Sequence, residues 1–125
     1  MTHDQLRIVV DSVCNDVKDL IRLKNHAYSS EEDAIDNFKL GAKDIGTTCY
    51  QAWAIYFRKQ ISAIFKAIRE NPDCPEDKSE GLYSRIKDAI AYLIFLQALR
   101  YDDNNGLPLA DVKDSASARI DDFNH

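Results

Sequence analysis

Residues 48–68, TCYQAWAIYFRKQISAIFKAI, decide the fold class. Ala52, Trp53, Tyr56, Phe57, Ile61, Ile64, Phe65 and Ile68 recur at helical steps. At about 100° per residue they fall on one side of a helix. Thr48 and Gln51 stand three apart at its start, the pattern of a capping box, in which each side chain satisfies a free backbone amide of the other. No other segment is as strongly amphipathic. The chain has only 4 Gly and 3 Pro, so the segments between breakers are long, and helices are predicted throughout.

On the N-terminal side, Leu6, Val9, Val10, Val13, Val17, Leu20 and Ile21 form one stripe, which predicts a first helix from Asp4 to Lys24. A turn at Ala27–Ser30 follows. Ser29 with Glu32, or Ser30 with Asp33, resembles a capping box that opens a second helix, carrying Ala34, Ile35, Phe38 and Ala42 and stopping near Gly46. On the C-terminal side, residues 70–79 hold two prolines and four acids and read as a loop between helices. A fourth helix is predicted from Ser79 to Tyr101. It is apolar on two sides: Leu82, Ile86, Ala89, Ile90 and Leu93 face one way, and Tyr92, Phe95 and Leu99 continue a second stripe headed by Asp88. A helix apolar on two sides is central in a bundle or part of a subunit interface, and the second stripe is the candidate homo-oligomer seam. The expected architecture is all-α and four-helix bundle-like, with a helical domain over 1–101. Residues 102–125 form a short irregular or helical tail, packed on that domain or on a partner subunit.

A chain of 125 residues makes one domain, with room for a core of about thirty apolar side chains. Its net charge of −5 argues against a general nucleic-acid binder, whose affinity comes mainly from neutralising phosphates. It leaves room for a small phosphorylated ligand, which needs only a local cluster of cations. Cys14, Cys49 and Cys74 make an odd count without a CxxC, so neither a disulfide framework nor a zinc site is indicated. Cys14 and Cys49 fall among apolar helical positions and read as small hydrophobes of a cytoplasmic protein. The start lacks the pattern of a signal peptide, and no stretch approaches the ~18 apolar residues that span a bilayer.

The first stripe ends oddly. Its next position is Lys24, followed by Asn25, His26 and Tyr28. An amine on an apolar stripe must reach water, find a carboxylate or bind an anion. A stem that snorkels from a helix end meets the first need, and a phosphate contact assisted by Asn25 and Tyr28 meets the last. Asp88 poses the same question on the fourth helix. It is either half of an ion pair or a ligand for a divalent cation such as Mg²⁺, with Glu80 as a second oxygen donor. Asp16 and Asp19 share a face of the first helix but lie off its stripe, as a solvated edge does. Asn37 beside Phe38 is a buried-edge amide or a hydrogen-bonding group for a base or sugar. Arg58 and Lys59 interrupt the aromatic third helix on its outer face, and Lys59 is the candidate there for a nucleotide contact. His3, His26 and His125 make no ligand spacing, and no Ser-His-Asp set, Cys-His set or Gly-rich phosphate loop is present.

Taken in order, KNHAYSSEEDAIDNFK (24–39), QAWAIYFRKQISAI (51–64), Glu80 and RIKDAIAYLIFLQAL (85–99) resemble phage-encoded proteins of the MazG-like, all-α nucleoside triphosphate pyrophosphatase group. The variety that looks most similar is the nucleotide-modification-associated domain. The matching elements are Lys24, Asn25 and Tyr28, then Asn37 and Phe38, then Asp88, Ala89, Ile90, Tyr92 and Leu93, over about residues 10–101. The resemblance implies a helical bundle, often a dimer or dimer of dimers. It also implies Mg²⁺ held by helix carboxylates, here Asp88 and Glu80, and cleavage of a nucleoside triphosphate to a monophosphate and pyrophosphate. Lys24 would contact phosphate, and Tyr28, Tyr92 or Trp53 would wall the base. Active members typically carry E-x-x-E on one helix and E-x-x-D on another. Here Arg85 replaces the first acid of the second motif and becomes a candidate phosphate contact. Asp16 and Asp19 are a shorter-armed candidate for the first motif, with Glu31, Glu32, Asp33 and Asp36 as substitutes. Two functions are therefore expected: a Mg²⁺-dependent pyrophosphohydrolase, or a non-catalytic protein that sequesters a nucleotide.

Overall fold

A computed structural model of the chain describes residues 1–28, 35–77 and 79–104, the side chains of 25–28 excepted. The anticipated boxes at Ser29 and Ser30, the acids Glu31, Glu32 and Asp33, and the tail beyond residue 104 lie outside the described residues, as do the side chains of Asn25, His26 and Tyr28. The described residues form four helices, α1 (His3–Tyr28), α2 (Asp36–Ile45), α3 (Cys49–Glu70) and α4 (Leu82–Asp103), with no strand among them. The all-α, bundle-like expectation holds.

Local chemistry sets the helix ends. Thr2 and Gln5 exchange hydrogen bonds of 2.7 and 3.1 Å ahead of α1, and Thr48 and Gln51 do the same at 3.0 and 3.1 Å ahead of α3. α2 stops where Gly46 takes the left-handed conformation, φ 67°. There the amides of Gly46 and Thr47 return to the carbonyls of Lys43 and Ala42, which is the Schellman arrangement. The expected start of α4 at Ser79 moves to Leu82. Asp77 Oδ1 takes the amides of Ser79 and Glu80 at 2.9 and 3.4 Å, Gly81 sits at φ 85°, and Glu76 Oε1 receives the Leu82 amide at 2.7 Å. The loop thereby uses amides that an earlier helix start would have left free.

α3 and α4 form an antiparallel hairpin. Going along α3, Tyr50 donates to Asp103 at 3.0 Å, Trp53 Nε1 to the Tyr92 carbonyl, and Gln60 accepts from Arg85. α2 folds back on α3 and fills the corner between the two with Phe38. Only 2 % exposed, Phe38 lies 5.7–6.1 Å, ring to ring, from Tyr56, Tyr92 and Phe95. Ile35, Trp53 and Leu99 complete this core cluster, and Trp53 also stacks on Phe57 at 4.7 Å. α1 runs parallel to α4, tied by Asp16 to Tyr83 and by Lys24 to Asp88.

Ten apolar residues are buried among those described, fewer than a chain of this length has room for. Two expectations are corrected. The first stripe is covered only in its second half: Val17 is 2 % exposed, whereas Leu6, Val9 and Val10 are 44–50 % exposed, and Cys14 is exposed too. α1 is longer than the face it packs on. The second stripe of α4 is not a seam between subunits, because Tyr92, Phe95 and Leu99 belong to the chain's own core. On the other stripe of α4, Ile86 and Leu93 are 37 % and 51 % exposed and Ala89 is buried.

Candidate functional site

The parallel packing of α1 on α4 puts the two isolated charges of the sequence together. Lys24 Nζ lies 3.1 Å from Asp88 Oδ1 and 5.5 Å from the centre of the Tyr92 ring. Their side chains are 29 % and 16 % exposed, so the pair is partly withdrawn from water and both partners remain reachable. Lys24 is therefore neither a free cation nor a snorkelling one. It satisfies the end of the α1 stripe by neutralising Asp88 over an aromatic face. Burial first, and the nearby Asp88 charge second, push the Tyr92 phenol above its ordinary pKa, against the opposing pull of Lys24.

One turn toward the start of α4, a cavity of about 300 Å³ opens between the two helices, lined by Leu20, Glu80, Ser84, Lys87 and Asp88. The two carboxylates anticipated as partners thus face one space. Below it, Tyr83 donates to Asp16 Oδ2 at 2.6 Å, which raises the pKa of the phenol because its ionisation would set two anions side by side. The Lys87 ammonium lies 4.7 Å above the Tyr83 ring. Asp19 is occupied by Arg22 at 2.9 Å on the exposed side of α1. The Asp16/Asp19 pair therefore makes separate contacts.

Arg85 is buried and multiply held. Its Nε meets Asp77 Oδ2 at 2.8 Å, and Nη1 lies 3.4 Å from both Gln60 Oε1 and Glu80 Oε2. Ser79 and Arg85, in that order, hold the Asp77 carboxyl well below the ordinary carboxylate range. The hydrogen bond to Asp77 raises the Arg85 pKa in turn. This cluster clamps the 71–81 connection against α3. It borders a second cavity of about 390 Å³ that Lys66, Glu70, Glu76 and Ser79 help to line.

Of the remaining sequence candidates, Asn37 is exposed on α2, although its neighbour Phe38 touches the Tyr92 ring. Lys59 is exposed on α3 and lines neither cavity. Sequence reasoning missed Asp77 and Gln60. Gln60 carried a readable signal: it is the polar member of the series Trp53, Gln60, Ala67, spaced by seven and all buried. Asp77 carried none, because its role depends on how the loop folds back.

The donor set bears on Mg²⁺. No group of three or more His, Cys, Asp or Glu side chains able to hold a metal exists among the described residues. Two carboxylates on one cavity suit Mg²⁺ that arrives with phosphates, the usual mode for this ion, and not a cage for the bare ion. No helix among the described residues is long and apolar enough to cross a membrane. Compared with protein-family models, with curated proteins and with solved structures, the chain matches none.

Proposed function

We propose that the groove between α1 and α4 is the phosphate site of a Mg²⁺-dependent nucleoside triphosphate pyrophosphohydrolase-like protein that works as a homo-oligomer. One observation carries this reading: Glu80 and Asp88 line a single cavity beside Lys24 and Tyr92. In this reading Lys24 would contact a phosphate oxygen in place of Asp88, and Asp88 and Glu80 are the residues that would hold a Mg²⁺ ion. When bound, that ion neutralises phosphate charge and lowers the pKa of a coordinated water. Tyr92, with one side against Phe38, offers an aromatic wall. The experiment is incubation of purified protein with the common NTPs and dNTPs plus Mg²⁺, with pyrophosphate release as the readout. Release that disappears in Asp88→Asn supports the reading, and no release from any substrate at high enzyme concentration refutes hydrolysis.

A second reading, a nucleotide-sequestering protein, has its own observation: Asp88 is already neutralised by Lys24, and among the described residues no group of three metal-holding side chains exists. It predicts nucleotides that raise the melting temperature without turnover and without Mg²⁺. The same Asp88→Asn variant divides the two readings. Sequestering predicts that freeing Lys24 tightens binding by roughly tenfold, the order of one charge-assisted hydrogen bond.

A further inference from the structure

We infer that Lys87 is a second phosphate contact of the α1–α4 groove and meets the end of a phosphate chain farthest from the nucleoside. This rests on the reading of the groove as a phosphate site, and it adds to that reading a residue and an orientation. Three cations stand near the groove. Lys24 is taken by Asp88 at 3.1 Å, and Arg85 by Asp77 at 2.8 Å and Glu80 at 3.4 Å. Arg85, the cation that the sequence offered for a phosphate, is thus committed to the loop. Lys87 differs. It is half-buried and lines the cavity of about 300 Å³ with Leu20, Glu80, Ser84 and Asp88, yet it makes no ion pair among the described residues. Its ammonium rests 4.7 Å from the centre of the Tyr83 ring, much as Lys24 rests over Tyr92. A π face attracts an ammonium from one side, and the three N–H donors of that group leave others for a ligand.

The platform under Lys87 is fixed from α1. The Tyr83 hydroxyl donates to Asp16 Oδ2 at 2.6 Å, so the ring spans the two helices below the cavity. Ser84, also half-buried on the cavity wall, has a hydroxyl without a hydrogen bond among the described residues. An ammonium and a hydroxyl that face one small space suit phosphate oxygens. The volume is at the lower limit of ligand pockets and fits a head group rather than a whole nucleotide. Order along α4 supplies the direction. Tyr92, the aromatic wall, lies one turn past Asp88. Tyr83 lies five residues before Asp88, about 7.5 Å along the axis at 1.5 Å per residue. Lys24 therefore stands at the level of Asp88 and Tyr92, and Lys87 at the level of Tyr83. A nucleotide with its base at Tyr92 brings its first phosphate to Lys24 and its later ones to Lys87 and Ser84. The two lysines are balanced by Asp88 and Glu80, so the groove selects by the placement of its donors and not by excess charge.

The test titrates the full chain with inorganic pyrophosphate and with orthophosphate by calorimetry in metal-free buffer. Reductive methylation read by mass spectrometry then shows which lysines pyrophosphate shields. Pyrophosphate is expected to bind more tightly than orthophosphate and to shield Lys87, while Lys59, exposed on α3, stays reactive. Lys87→Gln is expected to weaken pyrophosphate roughly tenfold, the order of one charge-assisted hydrogen bond, with the melting temperature unchanged. Lys87→Arg should restore most of the affinity, and Lys59→Gln should lose none. No pyrophosphate binding at millimolar concentration overturns the inference. So does affinity undiminished in Lys87→Gln, an equal loss in Lys59→Gln, or shielding of Lys66, which would move the ligand to the other cavity. Failure of the hydrolase reading looks different. Lys87-dependent binding without pyrophosphate release from any nucleotide retires hydrolysis and leaves the inference standing. Release with an unchanged KM in Lys87→Gln keeps hydrolysis and removes the inference.

Discussion

Lys24 and Asp88 answer each other across the α1–α4 seam, and the substitution that tests this removes one charge without the other. Lys24→Met leaves Asp88, at 16 % exposure, without its counter-ion. The expected loss is about 1–2 kcal/mol in chemical unfolding, below that of a fully buried pair because water still reaches both groups. The Lys24→Met, Asp88→Asn double variant is expected to recover part of it, and a double-mutant cycle reads the coupling directly. Asp77 makes a different residue-scale prediction. Its folded pKa is depressed by Ser79 and Arg85, so it contributes stability that is fully present above the ordinary carboxylate pKa, about pH 4, and is lost as pH falls toward the lower folded value. The urea midpoint of the wild type should therefore decline below about pH 4, and that decline should be shallower in Asp77→Asn, which is less stable at neutral pH. An equal acid decline in both proteins would show that Asp77 is not the group responsible.

The elements differ in how much of them was readable from the sequence, and the difference follows the range of the interactions. The capping box of Thr48 and Gln51 was legible because both partners lie within one turn; so was the stop at Gly46, which needs only a left-handed backbone. Thr48→Ala is expected to cost about 1 kcal/mol, and near-native values for that variant would mean that packing alone defines the start of α3. The start of α4 was misplaced by three residues because Asp77 and Glu76 capture its first amides from within the loop. Periodicity reports that a helix has an apolar face but not what covers it. That is why Leu6 and Val17 looked equivalent in sequence and differ from 50 % to 2 % exposure in the fold. The candidate site was legible to the same degree. Lys24 and Asp88 stood out as charges on apolar stripes, but their pairing is a tertiary contact, and Arg85's attachment to Asp77 could not be foreseen at all.

At the scale of the whole molecule, the apolar side chains left exposed on the α3–α4 hairpin, Phe65, Ile68, Ile86 and Leu93, are where the proposed homo-oligomer would form, and that would make stability a property of concentration. If folded chains associate and unfolded ones do not, mass action shifts the unfolding equilibrium by about 1.4 kcal/mol of dimer for each tenfold change in concentration. A dimer of this size converts 1 kcal/mol into about 2–4 °C. The melting temperature should therefore rise by about 3–5 °C per tenfold increase in wild-type concentration, measured by circular dichroism at 222 nm. Phe65→Glu removes the driving force for association, because a carboxylate on this face would be desolvated without a counter-ion in the dimer. Its melting temperature should be lower at high protein concentration and independent of concentration. Leu6→Glu, on the open half of α1, changes an apolar surface of similar exposure that the hairpin face does not include. It should keep the wild-type concentration dependence. A flat melting temperature in the wild type would mean that the single chain is the folded unit and that the bare side of the hairpin is tolerated by it. A dependence lost in Leu6→Glu and kept in Phe65→Glu would move the interface to α1.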